Sequence, residues 1–203
     1  FDEQLDATTA NNSIHYTIPG LSVFNAIFTA PNQVLLTVSP MIDQTLYTLS
    51  VATVSDCSSN PIGLNNTASF VFYAIQPAAF QDVIINEILA DPSPTVNLPN
   101  AEFIELYNRS NKTIDLDGMV FNDGTDHVLA SYLLFPDSFV ILTAAVNVGS
   151  YAVYGNTLSV GSMALTNGGE LLQLKDINGL MVDSVQFDAA WYADAAKDDG
   201  GWS

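Results

Sequence analysis

An all-β chain of two tandem antiparallel β-sandwiches is the fold class this sequence predicts. Three observations carry the expectation. Apolar residues recur with a period of two, the spacing that puts alternate side chains on opposite faces of a strand. Turn formers separate these runs at short intervals. No long stretch of helical periodicity is found. The 203 residues suffice for one large domain or two small ones. A 48% hydrophobic composition with 11 Phe and 8 Tyr gives each domain material for a core and argues against disorder.

In chain order, Ile14, Tyr16 and Ile18 alternate with His15 and Thr17. Val34, Leu36 and Val38 follow, then Tyr47, Leu49 and Val51, then Phe70 and Phe72. Between them lie Pro19-Gly20, Ala30-Pro31-Asn32, Ser58-Ser59-Asn60-Pro61 and Asn65-Asn66. Short strands at this spacing suggest a sandwich over residues 1–76. Gln76-Pro77-Ala78-Ala79 opens a linker at 77–81, because proline interrupts a ladder and small residues bury little. The short, Pro-stiffened join predicts an end-to-end arrangement of the two domains. A second strand set over 82–203 comprises Val83 to Leu89, Glu102 to Asn108, Phe139 to Thr143, Leu171 to Leu174 and Val182 to Phe187. Its expected core is Ile85, Phe103 or Ile104, Leu106, Leu116, Ile141, Leu174 and Val185. Ala189 to Lys197, rich in Ala, is read as a short helical turn. Acid content shifts at the boundary, with 5 acidic residues before Asp82 and 17 from Asp82 onward.

The charge balance excludes several classes of partner. Twenty-two acidic residues face four basic ones, Arg109, Lys112, Lys175 and Lys197, for a net charge of −18. Nucleic-acid phosphates are bound by clusters of Lys and Arg, so no nucleic-acid partner is expected. The same field disfavours anionic membranes. No apolar run approaches the roughly 18–20 residues of a membrane span, so no membrane insertion is expected. Cys57 is the single cysteine, which leaves no intrachain disulfide. The first residue is Phe1 and the last are Gly200-Gly201-Trp202-Ser203. Both ends read as cuts through a longer polypeptide.

Catalytic groups are scarce. Nucleophilic catalysis needs a nucleophile, a base and an orienting group held together. Cys57 and His15 offer one such pairing, and nothing else in the sequence supports it. Glu102 and Glu105 are three apart on a strand and therefore face opposite sides, while Glu87 and Glu105 can lie on neighbouring strands. Glu105 is expected to accept structural hydrogen bonds from backbone groups of a loop, helped by Asn86 or Asn108. No cofactor is expected, with Ca²⁺ as the open exception. Its oxygen ligands would come from Asp115 to Asp126 (Asp117, Asn122, Asp123, Asp126) or from Asp194 to Asp199 (Asp198, Asp199), neither with an EF-hand pattern. Gly161 and Gly168-Gly169 read as hairpin glycines at positive φ rather than a phosphate loop. Tyr107, Tyr132, Tyr151, Tyr154, Trp191, Tyr192 and Trp202 are read as core residues, with a carbohydrate platform as the alternative. No catalytic, cofactor-binding or metal-ligating residue is therefore assigned.

From about Asp82 onward the sequence resembles a lamin-tail-type domain, an immunoglobulin-like sandwich. The residues that carry the resemblance are Val83-Ile84-Ile85-Asn86-Glu87-Ile88 and Glu102-Phe103-Ile104-Glu105-Leu106-Tyr107-Asn108. Ile114-Asp115-Leu116-Asp117-Gly118 follows, with Met119 where the family favours an aromatic. Leu165 to Leu174 and Asn178 to Val185 complete it, with Phe187 where the family has Tyr. The resemblance implies a final strand beyond Ser203. Residues 1–76 resemble the bacterial immunoglobulin-like domains of secreted proteins, through Phe1 to Asp6, Ile14-His15-Tyr16, Leu46 to Val51 and Val54 to Ile62. Ser59 replaces the glycine usual there.

These resemblances imply an extracellular or cell-surface location. They also imply a non-catalytic structural or adhesion module whose partners are an unknown protein or carbohydrate and the neighbouring domains of its parent chain. Two alternatives stay open: a ligand-binding module, and an accessory domain of a secreted hydrolase whose catalytic domain lies elsewhere.

Overall fold

The computed structural model describes residues 1–194, 197 and 199–203. It divides into two compact units, Phe1–Ala74 and Ile75–Ser203.

The first unit begins with a one-turn helix, α1 (Ala7–Ala10), started by the Asp6 side chain accepting from the Thr9 amide. Five strands follow: β1 (Tyr16–Thr17), β2 (Val23–Ala30), β3 (Gln33–Val38), β4 (Thr45–Val51) and β5 (Thr67–Phe72). They form a three-stranded sheet in the order β1-β4-β5 and a β2-β3 hairpin. Leu5, Ala10, Tyr16, Ala26, Val51 and Val54 make the core, with Val23, Phe28, Val34, Leu36, Leu49 and Ile62 packed around them. The alternation that places Ile14 on the inner face fails, for Ile14 is 79% exposed. The Asn12 side chain accepts from the Ile14 amide and starts a 3-10 turn over Ser13–His15, so the strand begins only at Tyr16. Strand β2 is absent from the period-two reading because register shifts between Val23 and Asn25 and between Phe28 and Ala30 break its alternation.

Among its described residues the second unit has ten strands: β6 (Val83–Leu89), β7 (Phe103–Asn108), β8 (Ile114–Asp115), β9 (Val120–Asn122), β10 (Asp126–Val128), β11 (Leu133–Leu134), β12 (Phe139–Thr143), β13 (Thr157–Ser159), β14 (Leu171–Lys175) and β15 (Met181–Gln186). Two four-stranded sheets, β13-β12-β7-β6 and β10-β9-β14-β15, contribute to one core cluster, and β11-β8 forms a small ribbon. The expectation of purely antiparallel sheets needs one correction. Strand β13 pairs parallel to β12. The chain between them passes through a 3-10 turn and the one-turn helix α2 (Val148–Tyr151), and such a crossover returns a strand in the same direction. A further 3-10 turn covers Ala189–Tyr192. The remainder of the helical turn expected there includes Ala195 and Ala196, which lie outside the described residues.

The main core gathers Ile85, Ile104, Leu106, Leu116, Leu142, Leu172 and Leu174. Phe103 and Ile104 are both buried, although adjacent strand residues face opposite sides. The reason is that β7 is covered on both faces. Ile104 enters the main core, while Phe103 joins Leu89, Ala101, Ile141 and Tyr151 in a second cluster. The Tyr151 hydroxyl donates to the Ala101 carbonyl, and burial pushes its pKa up to about 12. Of the expected core, Val185 alone is only half-buried, packed against the rim.

Residues 75–82 are tied into this second unit. Ile75 bridges Thr113 in parallel, and the Gln76 amide donates to the Thr113 carbonyl. The Lys112 ammonium donates to the Asp82 carboxylate at 2.6 Å. Beneath them the Thr113 hydroxyl is buried without a hydrogen-bond partner. An unsatisfied buried hydroxyl costs free energy that a methyl does not. Thr113→Val is therefore expected to be neutral or stabilising by up to about 1 kcal/mol. A fall in the thermal midpoint of more than 2–3 °C, the rough equivalent of that energy with the opposite sign, would overturn this.

Candidate functional site

The polar side chains buried in the second unit show what its chemistry is committed to. Asn108, at the end of β7, is fully buried. Its amide nitrogen donates to the carbonyls of Lys112 and Leu134 at 2.8 and 2.9 Å, and its oxygen accepts from the Ser110 amide and hydroxyl. One side chain thus closes the β7–β8 turn and holds the β11 strand. Asp183, on β15, accepts from the Ile85 amide at 2.8 Å, beside the bulge that shifts the β6–β7 register. Asp115 accepts from the Tyr132 amide and the Ser131 hydroxyl.

Two carboxylate groupings remain. On the outer face of the β6–β7 pair, Glu87 stands directly opposite Glu105. Glu105 accepts from the Asn86 side-chain amide at 2.9 Å. Burial raises its pKa, the Asn86 contact lowers it, and the Glu87 charge raises it again. Asn108 does not serve Glu105, being turned into the core. The expected backbone donors are absent as well: among the described residues, Asn86 is the hydrogen-bond partner found for Glu105. The second grouping lies at one end of the sandwich, on the opposite face of β7. There the Glu102 carboxylate accepts from the Leu165 amide at 3.0 Å. Nearby, Asp123 is paired with the buried His127 at 2.9 Å, with the imidazole stacked on Phe121. This pair is not among the candidates that alternation and motif spacing single out. The signal for it is that His127 stands opposite the buried Phe121 in the β9–β10 register.

The Ca²⁺ candidates are turned to separate partners. Asn122 donates to Asp126 at 2.7 Å, Asp123 holds His127, and the Asp117 amide donates to Asp115. Among the described residues no group of three or more His, Cys, Asp or Glu is arranged to hold a metal ion. Asp198, in the second candidate stretch, lies outside the described residues. Cys57 is exposed, and its thiol donates to the Leu5 carbonyl. His15 bonds instead to the Thr9 carbonyl through Nδ1.

The aromatic residues divide. Tyr151 is core, and Tyr107 is stacked on Phe139 at 4.5 Å while its hydroxyl donates to Asp137. Trp191 is 64% exposed and lines a groove of about 550 Å³ with Asn86, Glu87, Asn167 and Tyr192. Tyr154 donates to Asn97, Tyr192 donates to the Trp202 carbonyl, and Lys197 lies over the Trp202 ring. Of the hairpin glycines, Gly161 and Gly169 have positive φ and Gly168 does not. At Gly169 a Cβ would lie 2.4 Å from the Phe187 carbonyl oxygen. No described helix is long and apolar enough to cross a membrane.

Paired sheets over one core, with buried polar groups spent on loops and turns, define an immunoglobulin-like β-sandwich. Comparison with protein families gives it a place. The lamin tail domain family model matches residues 76–189, more than half of the chain, and the chain belongs to that family. No curated protein matches the chain.

Proposed function

We propose that this chain is a non-catalytic structural or adhesion module of a larger bacterial secreted or cell-surface protein. On this reading its first unit is a bacterial immunoglobulin-like domain. Its partners are a protein or carbohydrate and the neighbouring domains of its parent chain. The observation that carries the reading is the use made of the carboxylates and amides. Asn108, Asp183, Asp115 and Glu102 are occupied by backbone groups or loop side chains, and a group so engaged is poorly placed to move protons on a substrate. The net charge of −18 supports a soluble module that avoids phosphate polymers.

The test is an assay panel on the whole chain with ester, peptide, phosphodiester and glycoside substrates, alongside DNA titration at physiological salt. No turnover and no saturable DNA binding are expected. Turnover that disappears in Glu105→Gln would overturn the reading. A second reading, carbohydrate binding, is favoured by one observation, the exposed Trp191 beside the amides of Asn86 and Asn167. A neutral-glycan array distinguishes it, through binding that Trp191→Ala abolishes.

A further inference from the structure

Two Asn-Gly pairs stand in the second unit, Asn167-Gly168 ahead of β14 and Asn178-Gly179 between β14 and β15. Both are exposed, so access to water does not separate them. A glycine after asparagine leaves its amide nitrogen open to the carboxamide carbon, because no Cβ shields the approach. The nucleophile in that attack is the nitrogen once it has lost its proton. What the fold does with each glycine N–H therefore decides the chemistry.

The two turns hold the pair in different positions. In Asp176-Ile177-Asn178-Gly179 the glycine comes last, and its amide closes the turn by donating to the Asp176 carbonyl at 2.9 Å. The Asn178 carboxamide is engaged as well, donating to the Asp176 carboxylate at 3.4 Å. In Thr166-Asn167-Gly168-Gly169 the pair is central. There Gly169 makes the closing bond, its amide donating to the Thr166 carbonyl at 2.9 Å. Among the described residues, neither the Gly168 amide nor the Asn167 side chain has a hydrogen-bond partner. A Cβ built on Gly168 would meet nothing within 4 Å, so the space around the reacting atoms is open.

We propose that Asn167 is a site of self-modification, at which the Gly168 nitrogen attacks the Asn167 carboxamide carbon and the side chain ends as a carboxylate. The bond from the Gly168 nitrogen to Cγ forms and the Cγ–Nδ2 bond breaks. Ammonia leaves, taking up the proton that the Gly168 nitrogen gave away. Water, the one co-reactant, then opens the cyclic imide. Cleavage at Cγ gives aspartate, and cleavage at the Asn167 main-chain carbonyl gives an isoaspartyl link that routes the backbone through the side chain. Either product changes its surroundings. Asn167 lines the groove of Trp191 and Tyr192, where Glu87 and Asp188 already stand, so one of the groove's amides becomes a further negative charge. The isoaspartyl link also lengthens the backbone just ahead of Gly169, where even a Cβ would lie 2.4 Å from the Phe187 carbonyl oxygen. The groove therefore changes with the age of the molecule, in one direction only, whatever it binds.

The test is to age the whole folded chain in heavy-oxygen water at pH 8 and follow both Asn-Gly peptides by mass spectrometry. Oxygen taken from the solvent marks each converted side chain. Asn167 is expected to convert at least roughly tenfold faster than Asn178, which must first release two hydrogen bonds. Isoaspartate should stand among its products, and conversion should slow at pH 6, where the amide proton is harder to remove. In urea that unfolds the chain the two rates should converge. Gly168→Ala, which the open space accepts, should bring conversion at Asn167 down to the Asn178 level or below and leave Asn178 unchanged. Equal rates at the two sites in the folded chain, faster conversion at Asn178, or a contrast that persists in urea would overturn the proposal.

Discussion

Replacing Asn108 with alanine is expected to lower the stability of the second unit by about 2–6 kcal/mol, from four hydrogen bonds at about 0.5–1.5 kcal/mol each. The four are those to the Lys112 and Leu134 carbonyls and from the Ser110 amide and hydroxyl. The substitution leaves both carbonyls facing a cavity with no donor, and an orphaned buried acceptor costs more than the bond it lost was worth. Asn108→Asp is the sharper test. It keeps the oxygen that Ser110 uses but turns a carboxylate towards two carbonyls, burying a charge against like partial charges. It is expected to be at least as damaging as alanine. Thermal or chemical unfolding of both variants checks this. A midpoint within 2 °C of the parent would mean that water or a shifted loop replaces the side chain.

Leu106→Ala and Leu174→Ala should each cost about 2–5 kcal/mol, the range for emptying a fully buried leucine site. Both are fully buried, on strands of the two different sheets, and belong to the same cluster. Leu171→Ala, beside Leu172 but 46% exposed, should cost less than about 1 kcal/mol. The contrast between Leu174 and Leu171 tests the register of β14 directly, because a one-residue slip exchanges the faces of the strand. Equal costs at the two positions would show that the register is wrong.

Where a strand is a long, nearly continuous apolar run bounded by turn formers, the sequence is readable. The limits of β6 and β12 coincide with the runs read from the sequence, Val83 to Leu89 and Phe139 to Thr143. Strands of two or three residues such as β8, β10 and β11 are too short for a period to register, and hairpin geometry sets them instead. The choice between Phe103 and Ile104 could not be made by periodicity, since loops and α2 build a second core on the far side of β7. Of the polar groups, the opposed Glu87 and Glu105 follow from strand order. The role of Asn108 does not, because its partners are carbonyls of distant loops, and every residue type carries a carbonyl.

Strand β5 carries a consequence of another kind. Thr67–Phe72 contains no charged residue, its side chains are largely exposed, and among the described residues it is paired with β4 alone. Such a border is a template on which a second molecule can extend the sheet, and natural proteins commonly place lysine, proline or a bulge there as a guard. None of these stands in β5. The guard here is colloidal. The first unit holds five acidic residues and no Lys or Arg, so two copies approaching border to border meet mutual repulsion first. That repulsion reaches about 10 Å at 0.1 M salt and about 3 Å at 1 M. Association through the β5 border is therefore expected to rise with ionic strength, since the border itself carries no guarding residue.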